Sequence, residues 1–282
     1  MSDFVFDENG DEVVLKKRTQ AELEAGIAEL ADILGYTRRG VFFGGAGVST
    51  ESGIPDFRSQ ASEELAEELF GLPPEILLSI EFARKDPVTF HRYIREHIID
   101  TAAKPNAAHL ALAKLEADGR LAAVVTQNID GLHQLAGSQN VYELHGSLQR
   151  NYCEGCAAKY SLDWVLDPAN CREPDQVVPV CPKCGGWVRP DIVLYGEALP
   201  ENAMLGAVAA INDADTLIVG GTSLVVYPAA NFLHYFKGHT RVLINLGPTG
   251  YDSHADLVIS APIGEVLGEV IDQVPPRNTS ET

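Results

Sequence analysis

The sequence predicts an α/β protein, a Rossmann-type doubly wound parallel sheet with a smaller lobe made of a zinc-ribbon insertion and a helical insertion. Three observations predict it. Short apolar strand patterns alternate with helical ones along most of the chain, a glycine-rich turn follows the first of those strands, and all five cysteines fall within one stretch that breaks the rhythm.

Thr19 to Gly35 reads as a helix: Thr19 and Glu22 have capping-box spacing, apolar residues follow at helical intervals, and Gly35 can end it. The preceding segment, 1–18, is expected to be flexible. Val41 to Phe43 is a short buried strand, and residues from Gly53 to about Lys104 are mostly helical with proline punctuation. A helix from Ala107 to Ala117, capped by Asn106, leads into the strand Leu121 to Val125. Val141 to Ser147 is the next strand, and 151–189 carries the cysteines. Strands follow at Thr216 to Val219, Arg241 to Asn245 and Leu257 to Ile259, with a helix after Pro228 that stops near Gly238. The large domain is therefore discontinuous, 19–52, 105–150 and 190–274. The helical insertion 53–104 and the cysteine insertion 151–189 form the smaller lobe, and 275–282 is a flexible tail.

Length and composition are ordinary for a globular protein, with 282 residues, 45% hydrophobic and 22% charged. Forty acidic against 21 basic side chains give a formal charge of −19, which repels phosphate backbones and anionic lipid. Nucleic acid and membrane are excluded as expected partners, and a basic peptide fits, although solubility alone would also explain the surplus. Met1 to Gly10 is polar and acidic rather than basic and then apolar, and no stretch is long enough to span a bilayer. A cytoplasmic location is expected. A monomer is the favoured oligomeric state, on which the sequence carries no direct signal.

Gly44-Gly45-Ala46-Gly47-Val48-Ser49-Thr50 follows a strand, where small residues let backbone N–H groups approach a phosphate. Taken alone, an ordinary tight turn would explain these glycines. The continuation Glu51-Ser52-Gly53-Ile54-Pro55-Asp56-Phe57-Arg58 adds a cation for a diphosphate and an aromatic ring that can shield a reacting sugar bond from water. The strand from Leu121 ends in Thr126-Gln127-Asn128-Ile129-Asp130-Gly131, more polar than a strand cap requires, and the carboxyl end of a parallel strand lines the ligand crevice. His145 ends the next strand before a glycine and is the candidate catalytic base, although a histidine at a strand end is commonly just hydrogen-bonded.

Cys153-x-x-Cys156 and Cys181-x-x-Cys184, separated by the 24 residues Ala157 to Val180, describe a closed four-thiolate site for one structural Zn²⁺. A redox pair would leave the second Cys-x-x-Cys unexplained. Cys171 is a bystander in the intervening loop.

With these pieces in order, the chain closely resembles the sirtuin family of NAD-dependent protein deacylases. The matching elements are Gly45-Ala46-Gly47 through Gly53-Ile54-Pro55-Asp56-Phe57-Arg58, Thr126-Gln127-Asn128-Ile129-Asp130 and His145-Gly146. Arg189-Pro190-Asp191-Ile192-Val193-Leu194-Tyr195-Gly196-Glu197 and Gly221-Thr222-Ser223-Leu224 complete them. The resemblance implies that NAD is the co-substrate and that acetylated lysine peptides or proteins are the partners. It places Ala46, Thr50, Arg58, Thr222, Ser223 and Asn245 around the ADP-ribose, with Gly47, Ser49, Phe57, Gly221 and Leu246 beside them and Ile263 near the adenine. Gln127, Asn128, Ile129 and Asp130 would surround the nicotinamide ribose and carboxamide. Val193, Leu194, Tyr195, Gly196 and Glu197 on one side, and Val225, Val226 and Tyr227 on the other, would take the substrate backbone as an added strand. Phe57, His145, Val193 and Tyr195 would line the lysine tunnel; the tyrosine stands where phenylalanine is common.

The implied catalytic groups are His145, Asn128 and Asp130. The amide oxygen of the acyl-lysine attacks the ribose once nicotinamide is poised to leave, and His145 draws a proton through the ribose hydroxyls. Free lysine, nicotinamide and 2′-O-acetyl-ADP-ribose are the implied products. Two other readings share the pocket: a module that binds NAD or ADP-ribose without turnover, and a protein ADP-ribosyltransferase. Relatives that prefer succinyl-lysine carry a tyrosine and an arginine three residues apart after the Phe-Arg loop. Here Gln60 to Ala83 contains no tyrosine, arginine or lysine, and has Glu63, Glu64, Glu67 and Glu68 instead.

Overall fold

A computed structural model describes residues 4–6, 12–14, 19–56, 60–172, 177–225 and 228–276. The segment expected to be flexible at the amino end contains an antiparallel ribbon of β1 (Phe4–Phe6) and β2 (Glu12–Val14). Helix α1 (Gln20–Tyr36) starts at the expected capping box, with Thr19 and Glu22 satisfying each other's backbone N–H. It does not end at Gly35. The buried Arg120 donates to the carbonyls of Leu34 at 2.6 Å and Gly35 at 2.9 Å, so a side chain satisfies the last turn that a glycine cap was expected to close.

Strand β3 (Gly40–Gly44) follows, then two 3₁₀ turns, Ala46–Val48 and Thr50–Ser52. The helical insertion holds α2 (Gln60–Phe70), α3 (Pro74–Leu77), α4 (Ile80–Lys85) and α5 (Pro87–Tyr93), which runs into a π turn, Ile94–Ile98. Helix α6 (Ala107–Ala117) has Asn106 as its cap, and β4 (Leu121–Thr126), α7 (Leu132–Ala136) and β5 (Val141–Glu143) come next. The cysteine insertion is threaded by β6 (Gly146–Cys153), β7 (Lys159–Ser161), α8 (Leu162–Leu166) and β8 (Val188–Ile192). The chain then returns through α9 (Glu201–Asp213), β9 (Thr216–Gly220), a 3₁₀ segment Ala229–Tyr235, β10 (Thr240–Ile244), β11 (Leu257–Ile259) and α10 (Ile263–Val270).

Six strands form one parallel sheet in the order β11-β10-β9-β3-β4-β5. Alternate strand residues serve opposite faces. Phe42, Val124, Ile218 and Val242 pack with α1, α6 and α10, while Val41, Phe43, Ala123, Leu217 and Val219 pack with α9 and the 3₁₀ segment. Burial on both faces explains why these strands read as continuous apolar runs. The chain winds from β3 toward β5 on one side and from β9 toward β11 on the other, so the topological switch lies between the carboxyl ends of β3 and β9.

The expected strand Val141 to Ser147 is broken. β5 stops at Glu143 in the parallel sheet, and Gly146 opens β6 in a separate antiparallel sheet ordered β7-β6-β8. Gly146 makes this crossing with φ of +77°, and a Cβ there would stand 2.0 Å from the Asp191 carbonyl oxygen. The two insertions meet over β6 and β8, where Ala66, Leu77, Phe90, Ile94 and Ile98 pack with Leu148, Ile192 and Leu194. The Trp187 indole donates to His91 Nε2 at 2.7 Å, and Arg95 donates to the carbonyls of Leu166 at 3.1 Å and Val177 at 3.2 Å.

His91, His109 and His133 are buried, and desolvation holds their pKa values at about 3, 4 and 3 against an ordinary 6.5. Each ring is neutral in the folded protein and protonates below 6.5 once exposed. The unfolded state therefore binds up to three more protons, and stability should be complete above pH 6.5 and fall as pH drops toward 4, each ring contributing a slope of about 1.4 kcal/mol per pH unit. Denaturant midpoints measured between pH 7 and 5 should decline steadily; a flat profile would show that the rings titrate in place.

Candidate active site

Four strand ends and the junction between the two sheets build one polar cluster. The glycine-rich loop leaves β3 and packs against the loop that leaves β9: the Gly47 N–H donates to the Gly221 carbonyl at 2.8 Å, and a Cβ on Gly47 would lie 2.9 Å from Gly221 Cα. Gly221 has φ of +59° and would collide with the Val48 backbone if it carried a side chain. These glycines thus allow two loops to touch, and the Gly47 amide that was expected to face a phosphate is taken up by its neighbour.

Below them, the end of β4 supplies the polar residues. Ser49 is buried, and its hydroxyl donates to Asp130 Oδ2 at 2.7 Å while accepting from Asn128 Nδ2 at 3.0 Å. Expected at the cofactor, Ser49 instead braces the two side chains expected at the nicotinamide. Burial pushes the Asp130 carboxyl above its ordinary pKa, opposed by hydrogen bonds from the Leu132 N–H at 2.8 Å and from Ser49. Gln127 is buried and donates to Thr222 Oγ1 at 3.2 Å, which ties β4 to the end of β9. Ile129 accepts the Leu148 N–H at 2.9 Å, joining this loop to β6.

His145 sits at the sheet junction, half-buried, with Nδ1 at 2.9 Å from the Gln127 carbonyl oxygen. A carbonyl only accepts, so the proton lies on Nδ1 and Nε2 carries the lone pair in the neutral ring. The His145 carbonyl in turn accepts the Val193 N–H at 2.9 Å. The candidate base is therefore fixed from both sides of the crevice.

Ala46 opens the first 3₁₀ turn, Thr50 donates to the Gly47 carbonyl at 3.0 Å, and Ser223 is exposed beyond Thr222. Asn245 follows β10 with its amide turned to the Gly247 carbonyl at 3.1 Å, and Leu246 is half-exposed beside it. All line the carboxyl edge where an ADP-ribose was expected. Ile263, expected near the adenine, is buried against the end of β9, where a Cβ on Gly220 would meet its Cδ1 at 2.3 Å. Phe57, Arg58, Val226 and Tyr227 lie outside the described residues.

On the expected peptide edge, Tyr195 is already paired: its N–H donates to Leu78 O at 2.9 Å and its carbonyl accepts from Ile80 at 3.0 Å. Both Glu197 carboxylate oxygens accept from the buried Arg189, at 2.7 and 2.8 Å, and one also takes the Leu194 N–H at 2.9 Å. Burial opposes ionisation of Glu197, but these partners hold its carboxyl below the usual range. The Glu197 side chain braces the loop through Arg189 and the Leu194 N–H; Val193 and Gly196 lie on the same loop, and Val225 is exposed.

The sequence reading missed Glu51 and part of the role of Asn106. Glu51 Oε2 accepts the Gly264 N–H at 2.5 Å, capping α10 from the glycine-rich loop, a fit between an acid and a helix amino end. Asn106, recognised as a helix cap, also donates from Nδ2 to the Val48 carbonyl at 2.7 Å and to Ser52 Oγ at 3.0 Å.

In the smaller lobe, the Sγ atoms of Cys153, Cys156, Cys181 and Cys184 lie within 4.8 Å of one another, with Cys153–Cys184 at 3.4 Å and Cys156–Cys181 at 3.6 Å. A disulfide needs about 2 Å. Tetrahedral thiolates about 2.3 Å from zinc stand a little under 4 Å apart, so the donor set fits one closed Zn²⁺ site. Gly186 leaves room for it, since a Cβ there would be 2.9 Å from Cys153 Sγ.

The Sir2 family model matches residues 45–228, the span from the glycine-rich loop to the end of the β9 loop. The NAD-dependent protein deacetylase of Clostridium acetobutylicum is 54% identical over 245 residues, covering 87% of this chain and 98% of the relative. That of Cutibacterium acnes is 48% identical, with 84% and 93% covered. Among solved structures, a Sir2-p53 peptide-NAD+ complex is 40% identical, covers 87% of this chain and 97% of its own, and superposes with a TM-score of 0.76. A structure from a study of sirtuin substrate affinity reaches 0.80 at 39% identity, with 88% and 98% covered. By sequence, by fold and by the order of its strand-end motifs, this chain belongs to the Sir2 family, the sirtuins.

Proposed function

We propose that the protein is an NAD-dependent protein-lysine deacetylase that releases free lysine, nicotinamide and 2′-O-acetyl-ADP-ribose. One observation carries the reading. His145 is held as the Nδ1–H tautomer by the Gln127 carbonyl, beside the Ser49-bridged pair of Asn128 and Asp130, at the carboxyl edge of a parallel sheet. A pocket that only bound a dinucleotide would not require an oriented base there. Bound NAD supplies a ribose carbon with a cationic leaving group. Asp130 and the Ile129 backbone are suited to hold the carboxamide. Asn128, anchored through Nδ2, presents its carbonyl oxygen to a ribose hydroxyl or a water. His145 takes a proton at Nε2. Relatives of this chain named as NAD-dependent protein deacetylases, and sirtuins solved with acetylated and propionylated peptides, support the same assignment.

The deciding experiment incubates the protein with labelled NAD and an acetylated peptide. Nicotinamide release that depends on peptide is expected. Label on protein would indicate ADP-ribosyl transfer, and no turnover would leave a binding module.

His145→Ala should retain NAD binding and fold while turnover falls by about two to four orders of magnitude. Turnover near that of the parent would remove His145 from the mechanism. Metal analysis should find about one zinc per chain, and stripping it should unfold the smaller lobe and abolish activity, because the four thiolates and α8 have little other core. Active protein free of zinc would overturn that assignment.

Acetyl-lysine should be preferred to succinyl-lysine by about a hundredfold or more in catalytic efficiency. Glu63, Glu64, Glu67 and Glu68 form an exposed face of α2, Arg84 pairs with Glu154 at 3.3 Å on the surface, and Arg92 is exposed. An unpaired carboxylate in an apolar tunnel costs several kcal/mol, and extra methylenes return only about 1 to 2 kcal/mol. Comparing kcat/KM on one peptide carrying either acyl group tests this; equal values would mean that a cation reaches the tunnel.

A further inference from the structure

Behind the catalytic cluster, two buried histidines face each other with polar atoms that nothing in the mechanism uses. His109 on α6 and His133 on α7 have ring centroids 4.7 Å apart and an interplanar angle of 57°, with Phe42 of β3 closing the far side of His133 at 6.2 Å. Both rings are buried, and among the described residues His109 Nε2 and both ring nitrogens of His133 have no hydrogen-bond partner. Unmet polar atoms in such a place are rare and costly. A neutral imidazole carries one N–H and one lone pair. His109 Nδ1 lies 3.3 Å from the Asn106 N–H and 3.1 Å from Asn106 Oδ1, so it can act as acceptor or as donor. In either case Nε2 is left with the opposite role, and His133, free to take either tautomer, can complement it after a small rotation.

The position of the pair gives it a purpose. Asn106 reaches from the start of α6 to Val48 and Ser52 and so fixes the glycine-rich loop. On the other side, His133 belongs to the short helix whose first amide, Leu132 N–H, holds Asp130 Oδ1 at 2.8 Å. We infer that His109 and His133 are positioning residues, a neutral imidazole pair joined through His109 Nε2 that locks the glycine-rich loop to the Asp130 loop and so sets the nicotinamide end of the cleft. Desolvation, which keeps both rings neutral through physiological pH, is the condition the pair needs. The inference rests on the cleft being the NAD site, and peptide-dependent nicotinamide release by the parent protein in the same assay establishes that separately.

The test compares His133→Asn, which keeps a donor and an acceptor, with His133→Phe, which keeps only the ring volume. The Phe variant should raise the KM for NAD by about tenfold while the KM for peptide stays within about threefold, and the Asn variant should hold the NAD KM within about threefold of the parent. An unchanged NAD KM in the Phe variant, or equal losses in both, would overturn the inference. Should the Phe variant not fold, histidine-labelled parent protein read by nitrogen NMR decides the matter. A coupling between His109 Nε2 and a ring nitrogen of His133 is expected, and its absence would overturn the pair.

Discussion

The crossing at His145 and Gly146 is the constraint from which the site follows. Two residues separate a parallel sheet from an antiparallel one, and Gly146 is the residue that lets the backbone turn there without striking the Asp191 carbonyl. Because the crossing occurs beside the end of β4, the His145 ring meets the Gln127 carbonyl and its own carbonyl meets the Val193 N–H. One residue thereby joins the sheet that was expected to hold the dinucleotide to the loop that was expected to receive the peptide. A base placed on a single element would answer to only one of the two substrates.

Buried and half-buried arginines perform the same joining work elsewhere, each as a fan of donors to backbone carbonyls or a carboxylate. Arg189 links β8 of the smaller lobe to Glu197, and Glu197 takes the Leu194 N–H, so the metal lobe is connected to the Val193–Glu197 loop through charge-assisted hydrogen bonds. Arg95 ties the π turn of the helical insertion to α8, and Arg120 closes α1 against β4. A guanidinium removed from water is tolerated at such points because several of its N–H groups find acceptors at once.

Much of this was legible in the sequence, for reasons that can be stated element by element. The α6 boundaries and the Thr19–Glu22 box were readable because capping is local: donor, acceptor and spacing sit within one turn. The sheet strands were readable because burial on both faces removes polar alternation. The four cysteines were readable because a metal demands a fixed number of thiolates. What was not legible depended on partners far along the chain. Gly35 looked like a helix stop, but Arg120 had already taken that task. Ser49 and Gly47 were expected beside the ADP-ribose, and their hydrogen bonds to Asp130, Asn128 and Gly221 could not be read from the loop alone. Glu197 was expected on a peptide edge, and its pairing with Arg189 was not foreseeable from the loop alone. In each case the local pattern was correct about polarity and silent about direction.

The placement of both insertions follows from the direction of the strands. In a parallel sheet every strand ends on the same edge, so a segment inserted after β3 and another after β5 must emerge on one side of the sheet, the side where the switch point opens. The two insertions pack together over β6 and β8. The lobe therefore stands over the crevice as a geometric consequence of where the chain was interrupted. Residues contributed to the cleft from β3, β4, β9 and the junction are held by the sheet, Val193 is held by the His145 carbonyl at the junction, and Tyr195 is held by the lobe through Leu78 and Ile80. The strand-end residues expected at the dinucleotide are thus anchored in the sheet, and the Val193–Glu197 loop is anchored through Arg189 to the lobe that carries the four cysteines.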